Sequence, residues 1–269
     1  MSKPTIACVS YLNSKPLIDP LVDRPDVTVH FAVPSQLLAL VDAGVASTAL
    51  LPIVDYHRSQ HELLLVPAGM IGCDGPTLTV RLFSTVPLDK VAAIHGDTDS
   101  HTSVVLTQVI MRERYRIAPP LVPLAAHAGE HRYAQDTLLL IGDKVVNAAP
   151  DPEVYHHQLD LGQAWKELTG LPFVFAMWMM RADMQDVAVA RLLRDAQREG
   201  ARRTEALLDR YAAEKQWPRD LARRYFTEYL RYAPDDRARE GIARFYALAA
   251  KHDLLQTSRP VRYLELAAP

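Results

Sequence analysis

The sequence has little of what marks several large protein classes. Its 269 residues include two cysteines, Cys8 and Cys73, too few for a disulfide framework; both lie in apolar runs, which predicts buried, reduced thiols. No run of 18 apolar residues occurs and no signal-peptide core opens the chain, so we expect no membrane partner and a cytoplasmic location. The 30 basic and 32 acidic residues nearly cancel, which gives no electrostatic support to a nucleic-acid partner.

Motifs for nucleotides, metals and covalent catalysis are equally scarce. The glycines do not form a dinucleotide fingerprint, no P-loop lysine occurs, and there is no G-x-S-x-G elbow. The pairs His57/His61 and His127/His131 have the i, i+4 spacing of two imidazoles on one helix face, but no third ligand follows either pair. We therefore predict no cofactor and no bound metal.

What is present is an alternation of short apolar runs and helical patterns. Thr5–Val9, Val27–Phe31 and Ser47–Leu51 read as strands, and helices begin between them near Asn13 and Ser35. Strand and helix alternating in this way is typical of a parallel sheet with crossover helices.

A second α/β unit is inserted into the first, and helices follow it. Further strand patterns continue to about residue 180. After that the sequence pattern predicts helices near 185–213, 218–232 and 235–252, and a last strand at Val261–Leu266. We predict an α/β fold of two lobes with a cleft between them, a favoured place for a ligand. Lobe I is predicted to comprise residues 1–84 plus 178–269, and lobe II residues 85–177.

Polar helix starts follow three of the predicted strands. They are Asn13-Ser14, Ser35 and Ser100-His101-Thr102-Ser103, and each presents free backbone N–H groups at the carboxyl end of a strand. Such helix ends suit an anionic ligand, although Ser and Thr are also ordinary N-caps. His101 is either an acid or base, or an exposed residue of the cap. Asp143, after the strand Thr137–Ile141, is either a loop cap or a cleft residue.

A series of motifs resembles the chorismate dehydratase family of the futalosine route to menaquinone. The opening motif is Val9-Ser10-Tyr11-Leu12-Asn13-Ser14-Lys15-Pro16-Leu17. The others are, in chain order, Cys73-Asp74-Gly75-Pro76, Ser84 with Val86-Pro87-Leu88, Ser100-His101-Thr102-Ser103, Leu140-Ile141-Gly142-Asp143, Asp160-Leu161-Gly162 and the long run Trp165–Trp178. The resemblance extends from residue 5 to about residue 180 and continues loosely through the C-terminal helices.

The resemblance implies a fold, an activity and a set of site residues. The fold is the periplasmic-binding-protein-like type II fold with extra C-terminal helices, and the activity is dehydration of chorismate to 3-[(1-carboxyvinyl)oxy]benzoate. Asn13 matches the family's active-site asparagine, and Thr79 matches a strand hydroxyl that is usually serine. Ser100, Thr102 and Ser103 match the helix start that would hold a substrate carboxylate. The remaining predicted substrate contacts are Ser10, Ser35, Pro52, Gly142 and Asp143.

Alternatives remain at this level. One is the sister enzyme of the same route, which makes dihydroxynaphthoate, although the opening motif fits the dehydratase better. Others are a non-catalytic binder of a small carboxylate and the effector domain of a transcription regulator. The acceptor of the substrate proton also stays open between a substrate carboxylate and His101.

Overall fold

The chain forms two sheets in a computed structural model that describes residues 3–96, 100–124, 133–256 and 259–266. The six strands of the first sheet are, in spatial order, Leu230–Arg231 (β11), Leu63–Cys73 (β4), Phe173–Arg181 (β10), Thr48–Pro52 (β3), Thr5–Cys8 (β1) and Thr28–Phe31 (β2). The five strands of the second are Leu121–Pro123 (β7), Ile94–Gly96 (β6), Thr137–Ile141 (β8), Val80–Ser84 (β5) and His157–Asp160 (β9). The two-lobe α/β architecture predicted from the sequence is confirmed.

Parallel and antiparallel pairing combine in the first sheet. β1 pairs in parallel with β2 and β3, as the strand–helix alternation predicts, and the returning strand β10 pairs antiparallel with β3 and β4. Every residue of β3 is buried, as expected for a central strand covered on both faces.

Helices pack on the sheets, and four of those described follow the inserted unit in the chain. They are Lys15–Val22 (α1), Pro34–Asp42 (α2), Asp55–Arg58 (α3), His101–Arg114 (α4), Lys144–Asn147 (α5), Leu161–Thr169 (α6), Val187–Arg202 (α7), Thr204–Tyr211 (α8), Arg219–Arg224 (α9) and Asp236–Lys251 (α10). α7 crosses α1 so closely that a Cβ on Gly200 would lie 1.9 Å from the carbonyl oxygen of Pro16. Within the described ranges, no helix combines the length and apolar character needed to cross a bilayer.

The main hydrophobic core is shared by both lobes. It contains the strands of the first sheet and also buried residues of α4, such as Leu106 and Ile110, from the inserted unit. A smaller, separate cluster is formed at the second sheet by Phe83, Leu138, Leu140, Val145 and Tyr155. The cleft between the lobes therefore lies above a hydrophobic core to which both lobes contribute.

The predicted lobe boundaries at residues 84 and 177 lie at the end of β5 and inside β10. β5 belongs to the second sheet, because it pairs with β8 and β9. β10 belongs to the first sheet, because it pairs with β3 and β4. We therefore propose that the chain crosses between Cys73 and Val80 and returns between Thr169 and Phe173.

The C-terminal region differs from its sequence pattern in two ways. The predicted strand Val261–Leu266 is reduced to one isolated bridge between Tyr263 and Leu65. The predicted helix at 218–232 is α9 followed by a π-helix, Tyr225–Tyr229, and then by β11, which adds an edge strand to the first sheet. An edge strand of two residues is too short to carry a readable alternation of apolar and polar residues.

Candidate active site

A cavity lies between the two lobes and takes its wall from both sheets. Its empty volume, counted together with the space open to solvent, is about 670 Å³. Its polar wall contains Tyr11, Asn13, Thr77, Thr79, Ser100, Thr102, Ser103 and Tyr225. Its apolar wall includes Pro52, Ile71, Val80, Ile141 and Phe175, together with the backbone of Gly142. The described wall therefore contains no carboxylate, imidazole or amine.

The N-terminus of α4 forms one end of the cavity. Ser100 caps this helix: its Oγ accepts a 3.4 Å hydrogen bond from the backbone N–H of Ser103 and donates one of 2.8 Å to the Ser103 Oγ. Thr102 is only 2% exposed, and its Oγ1 has no hydrogen-bond partner among the described residues. A helix N-terminus with an unpaired buried hydroxyl is suited to a ligand carboxylate.

Asn13 lies on a short 3₁₀ turn, Leu12–Ser14, that leads directly into α1. The Ser14 hydroxyl fixes this turn, because it lies 2.8 Å from the Val9 carbonyl oxygen and 2.9 Å from that of Tyr11. Ser14 occupies the N-cap position of α1, as predicted, but its side chain makes no hydrogen bond that caps the helix. Asn13 faces the cavity, and its Oδ1 is buried without a partner in the described part of the chain.

An unusual backbone segment positions Thr79. This segment lies where the chain first crosses between the lobes. Leu78 has a φ of +68°, a left-handed conformation that costs a non-glycine residue about 1–2 kcal/mol. The Asp160 carboxylate holds this segment by accepting hydrogen bonds from the backbone N–H groups of Thr77 (2.9 Å) and Leu78 (2.8 Å). The same carboxylate caps α6 through Gly162 (3.0 Å) and Gln163 (3.1 Å).

Replacing Asp160 with Ala should lower the free energy of unfolding by about 3 kcal/mol, because a helix cap and two further backbone partners are lost. It should also lower activity, since Leu78 is then free to leave its strained conformation. Denaturant unfolding and turnover are the measurements. Asp186→Ala is the matched control: Asp186 caps α7 through Ala188 and Val189 alone, so about 1 kcal/mol should be lost and activity kept. Equal effects of the two variants would contradict this role of Asp160.

Tyr225 was not found by sequence reasoning, yet its hydroxyl is the described partner of the Thr79 side chain. The two oxygens lie 2.6 Å apart, and Tyr225 is 1% exposed. Burial raises the pKa of Tyr225 above its usual value, although hydrogen bonds with Thr79 and Asn13 partly oppose the increase. The phenol therefore stays protonated through the neutral range. No local pattern marks it, because its partners are brought to it only by tertiary packing.

Seven predicted residues meet in the cavity and three do not. The seven are Asn13, Pro52, Thr79, Ser100, Thr102, Ser103 and Gly142. Ser10 and Ser35 are exposed outside it, and Ser35 does not cap α2, which begins at Pro34 after an N-cap at Val33. Asp143 does not line the cavity, and its Oδ1 accepts a 3.0 Å hydrogen bond from Trp217 Nε1. Burial raises the pKa of Asp143, whereas the bond from Trp217 and nearby lysines lower it.

His101 is held by a carboxylate rather than directed into the cavity wall. Its Nδ1 lies 2.8 Å from Oδ1 of Asp55, which is fully buried on the first lobe. His101 belongs to the second lobe, so this contact joins the two lobes beside the α4 N-terminus.

The histidine pairs do not form a metal site where they are described. His57 packs edge-on against Tyr56 and Tyr246, and burial together with the charge of Arg259 lowers its pKa to about 4. No group of three His, Cys, Asp or Glu side chains comes together among the described residues. His127 and His131 lie outside the described residues.

Solved structures define the class of protein. A protein from Archaeoglobus fulgidus matches with a TM-score of 0.69 at 15% identity, covering 93% of this chain and 98% of that one. The alkanesulfonate-binding protein of Xanthomonas axonopodis, solved with MOPS, matches with a TM-score of 0.65 at 11% identity, covering 96% and 95%. The fold is therefore that of the periplasmic binding proteins.

The family is decided by sequence rather than by shape. The family model described as menaquinone biosynthesis matches residues 4–251. A curated relative, the chorismate dehydratase of Thermus thermophilus, is 32% identical over 187 residues, which is 64% of this chain and 68% of the relative. The chain belongs to the menaquinone biosynthesis family, and the membership expected from its motifs is confirmed.

Proposed function

We propose that this protein removes water from chorismate to give 3-[(1-carboxyvinyl)oxy]benzoate. Family membership and the name of the Thermus relative support the reaction. The observation that carries the site assignment is the pair of buried polar atoms, Asn13 Oδ1 and Thr102 Oγ1, that face one cavity without a partner in the described part of the protein. Buried polar atoms are normally satisfied, so a ligand is the natural partner of both.

The reaction asks for orientation more than for strong acids or bases. Chorismate carries two carboxylates, a ring diene conjugated to one of them, and a hydroxyl beside the carbon that bears the enolpyruvyl ether. A proton leaves that carbon, its electron pair enters the ring, and the C–O bond to the hydroxyl breaks. The hydroxide takes up a proton to become water, and the ring becomes aromatic, which supplies the driving force. Orientation in a closed site contributes about 7–11 kcal/mol to lowering such a barrier.

Each part of the cavity receives a role in this proposal. The α4 N-terminus with Ser100, Thr102 and Ser103 holds a carboxylate of the substrate. Asn13 and Thr79 bond the reacting centre, where groups aimed at developing charge are each worth about 3–4 kcal/mol. The extra methyl group of Thr79, compared with the usual serine, takes up space in the pocket.

The proton acceptor is assigned to a carboxylate of the substrate itself. The described cavity wall offers no carboxylate, imidazole or amine, and its buried phenol, Tyr225, stays protonated because burial raises its pKa. His101 is paired with Asp55 and does not belong to that wall. The small molecule thus supplies the base that the protein lacks. We place the reaction in the cytoplasm, which agrees with two free, buried cysteines.

The direct test is incubation of purified protein with chorismate, followed by ultraviolet absorbance and mass spectrometry. We expect the loss of chorismate and the appearance of a product lighter by one water. Unchanged chorismate that nevertheless binds would identify a non-catalytic binder of small carboxylates. Conversion of a cyclised futalosine to dihydroxynaphthoate instead would identify the sister enzyme.

A substrate-supplied base predicts a flat pH profile. No described side chain of the cavity wall titrates near neutrality, so kcat should be nearly constant between about pH 6 and pH 9. The same reasoning predicts that His101→Gln changes the level of kcat without changing the shape of the profile. A profile that rises with a pKa near that of histidine in the unchanged protein and becomes flat in His101→Gln would assign the base to His101.

A further inference from the structure

We infer that Tyr225 is a positioning residue that orients the hydroxyl of Thr79 toward the reacting centre. The inference rests on the proposed function and deepens it, because it explains how a neutral pocket fixes the direction of its hydrogen bonds. It also assigns a role to the C-terminal segment 217–230, which lies beyond the motifs that carry the family resemblance.

Either oxygen can be the donor in the bond between Tyr225 and Thr79, and the inference assigns the donated proton to Tyr225. Tyr225 and Thr79 share one bond of 2.6 Å, and each oxygen carries a single proton. With the Tyr225 proton donated to Thr79 Oγ1, the Thr79 proton is left to point at the substrate. The Thr79 backbone is occupied elsewhere, since its N–H donates to Thr77 O (2.8 Å) and its carbonyl accepts from Gly142 N–H (2.8 Å).

Asn13 lines the same cavity as Thr79 and Tyr225, and its Oδ1 is buried without a partner among the described residues. The substrate thus meets one donor, from Thr79, and one acceptor, from Asn13.

Packing around the Tyr225 ring holds its hydroxyl in a fixed position, from which it can orient the Thr79 side chain. Its ring stacks on Trp217 with centroids 4.9 Å apart and planes 22° apart, and Trp217 Nε1 donates a 3.0 Å bond to Asp143 of the second lobe. Tyr225 also begins the π-helix Tyr225–Tyr229, a form that is rare and is found frequently at functional sites. Both features hold the Tyr225 hydroxyl in place at the wall of the cavity.

The test compares turnover of chorismate by the unchanged protein, Tyr225→Phe, Thr79→Val and the double variant. Tyr225→Phe keeps the ring stack and removes one oxygen, so we expect kcat to fall about 10- to 100-fold with little change in KM. Because Tyr225 acts through Thr79, the double variant should be hardly slower than Thr79→Val alone. Tyr232→Phe is the matched control, since its buried hydroxyl has no partner among the described residues and it does not line the cavity.

Two kinetic results would overturn the inference: a Tyr225→Phe variant as fast as the unchanged protein, or losses that multiply in the double variant. Crystal structures of the unchanged protein and of Tyr225→Phe supply a readout that needs no turnover. We expect the Thr79 side chain to change orientation in the variant; if it stays in place, the inference fails. An unchanged protein that leaves chorismate intact would refute the proposed function alone, and the structures would still decide the role of Tyr225.

Discussion

Asn13→Ala should lower kcat for chorismate about 100- to 1,000-fold and leave KM within about threefold of its original value. The Asn13 Oδ1 is a buried acceptor without a partner among the described residues, and it faces the same cavity as Thr79. Its removal takes away an interaction with the reacting centre rather than one with the distant carboxylate. Steady-state kinetics with product detection by mass spectrometry is the measurement.

A second substitution at the same position separates charge from shape. Asn13→Asp keeps the size of the side chain but directs a carboxylate at a dianionic substrate, so KM should rise in addition to the fall in kcat. Losses of equal size in kcat and in substrate affinity for Asn13→Ala would count against its role at the reacting centre. Unfolding temperatures of both variants show whether the effects come from the site or from the fold.

Thr102→Val should raise KM about 10- to 100-fold while the free energy of unfolding stays the same or increases. The Thr102 Oγ1 is buried and unpaired in the described part of the chain, so replacing it with a methyl group breaks no described protein hydrogen bond. A bound carboxylate, however, loses a donor, and a hydrogen bond to a charged group is worth about 1.5–3 kcal/mol.

Thr107→Val provides the matched comparison on the same helix. Thr107 is also fully buried, but its Oγ1 donates a 2.8 Å hydrogen bond to the carbonyl of Ser103. Its replacement should therefore cost about 1 kcal/mol of stability and leave KM unchanged. Opposite signs of the stability change in the two variants, with a KM effect in Thr102→Val alone, are the expected pattern. A KM for Thr102→Val equal to that of the unchanged protein would remove the α4 N-terminus from the substrate site.

The parts of the site that could be predicted are those encoded by neighbouring residues. Ser100 caps α4 as expected, because an N-cap is formed within four consecutive residues and can be read from them. Asn13 could be placed at the end of a strand for the same reason, and the motif around it marked the family. Ser14 is the N-cap of α1 as predicted, but its hydroxyl bonds preceding carbonyls instead of the helix. Ser35 is not the N-cap of α2, because that helix begins one residue earlier, at Pro34.

The sequence by itself determined two α/β lobes, a hydroxyl-rich helix start and membership of a family, because apolar periodicity and short motifs record local hydrogen bonding and burial. The tertiary structure decided which polar groups share one cavity. Thr79 and Tyr225 are 146 positions apart, and Asp143 is bonded by Trp217, 74 positions further along the chain. Such contacts depend on how lobes and C-terminal helices pack against each other, and no local pattern of residues encodes that packing.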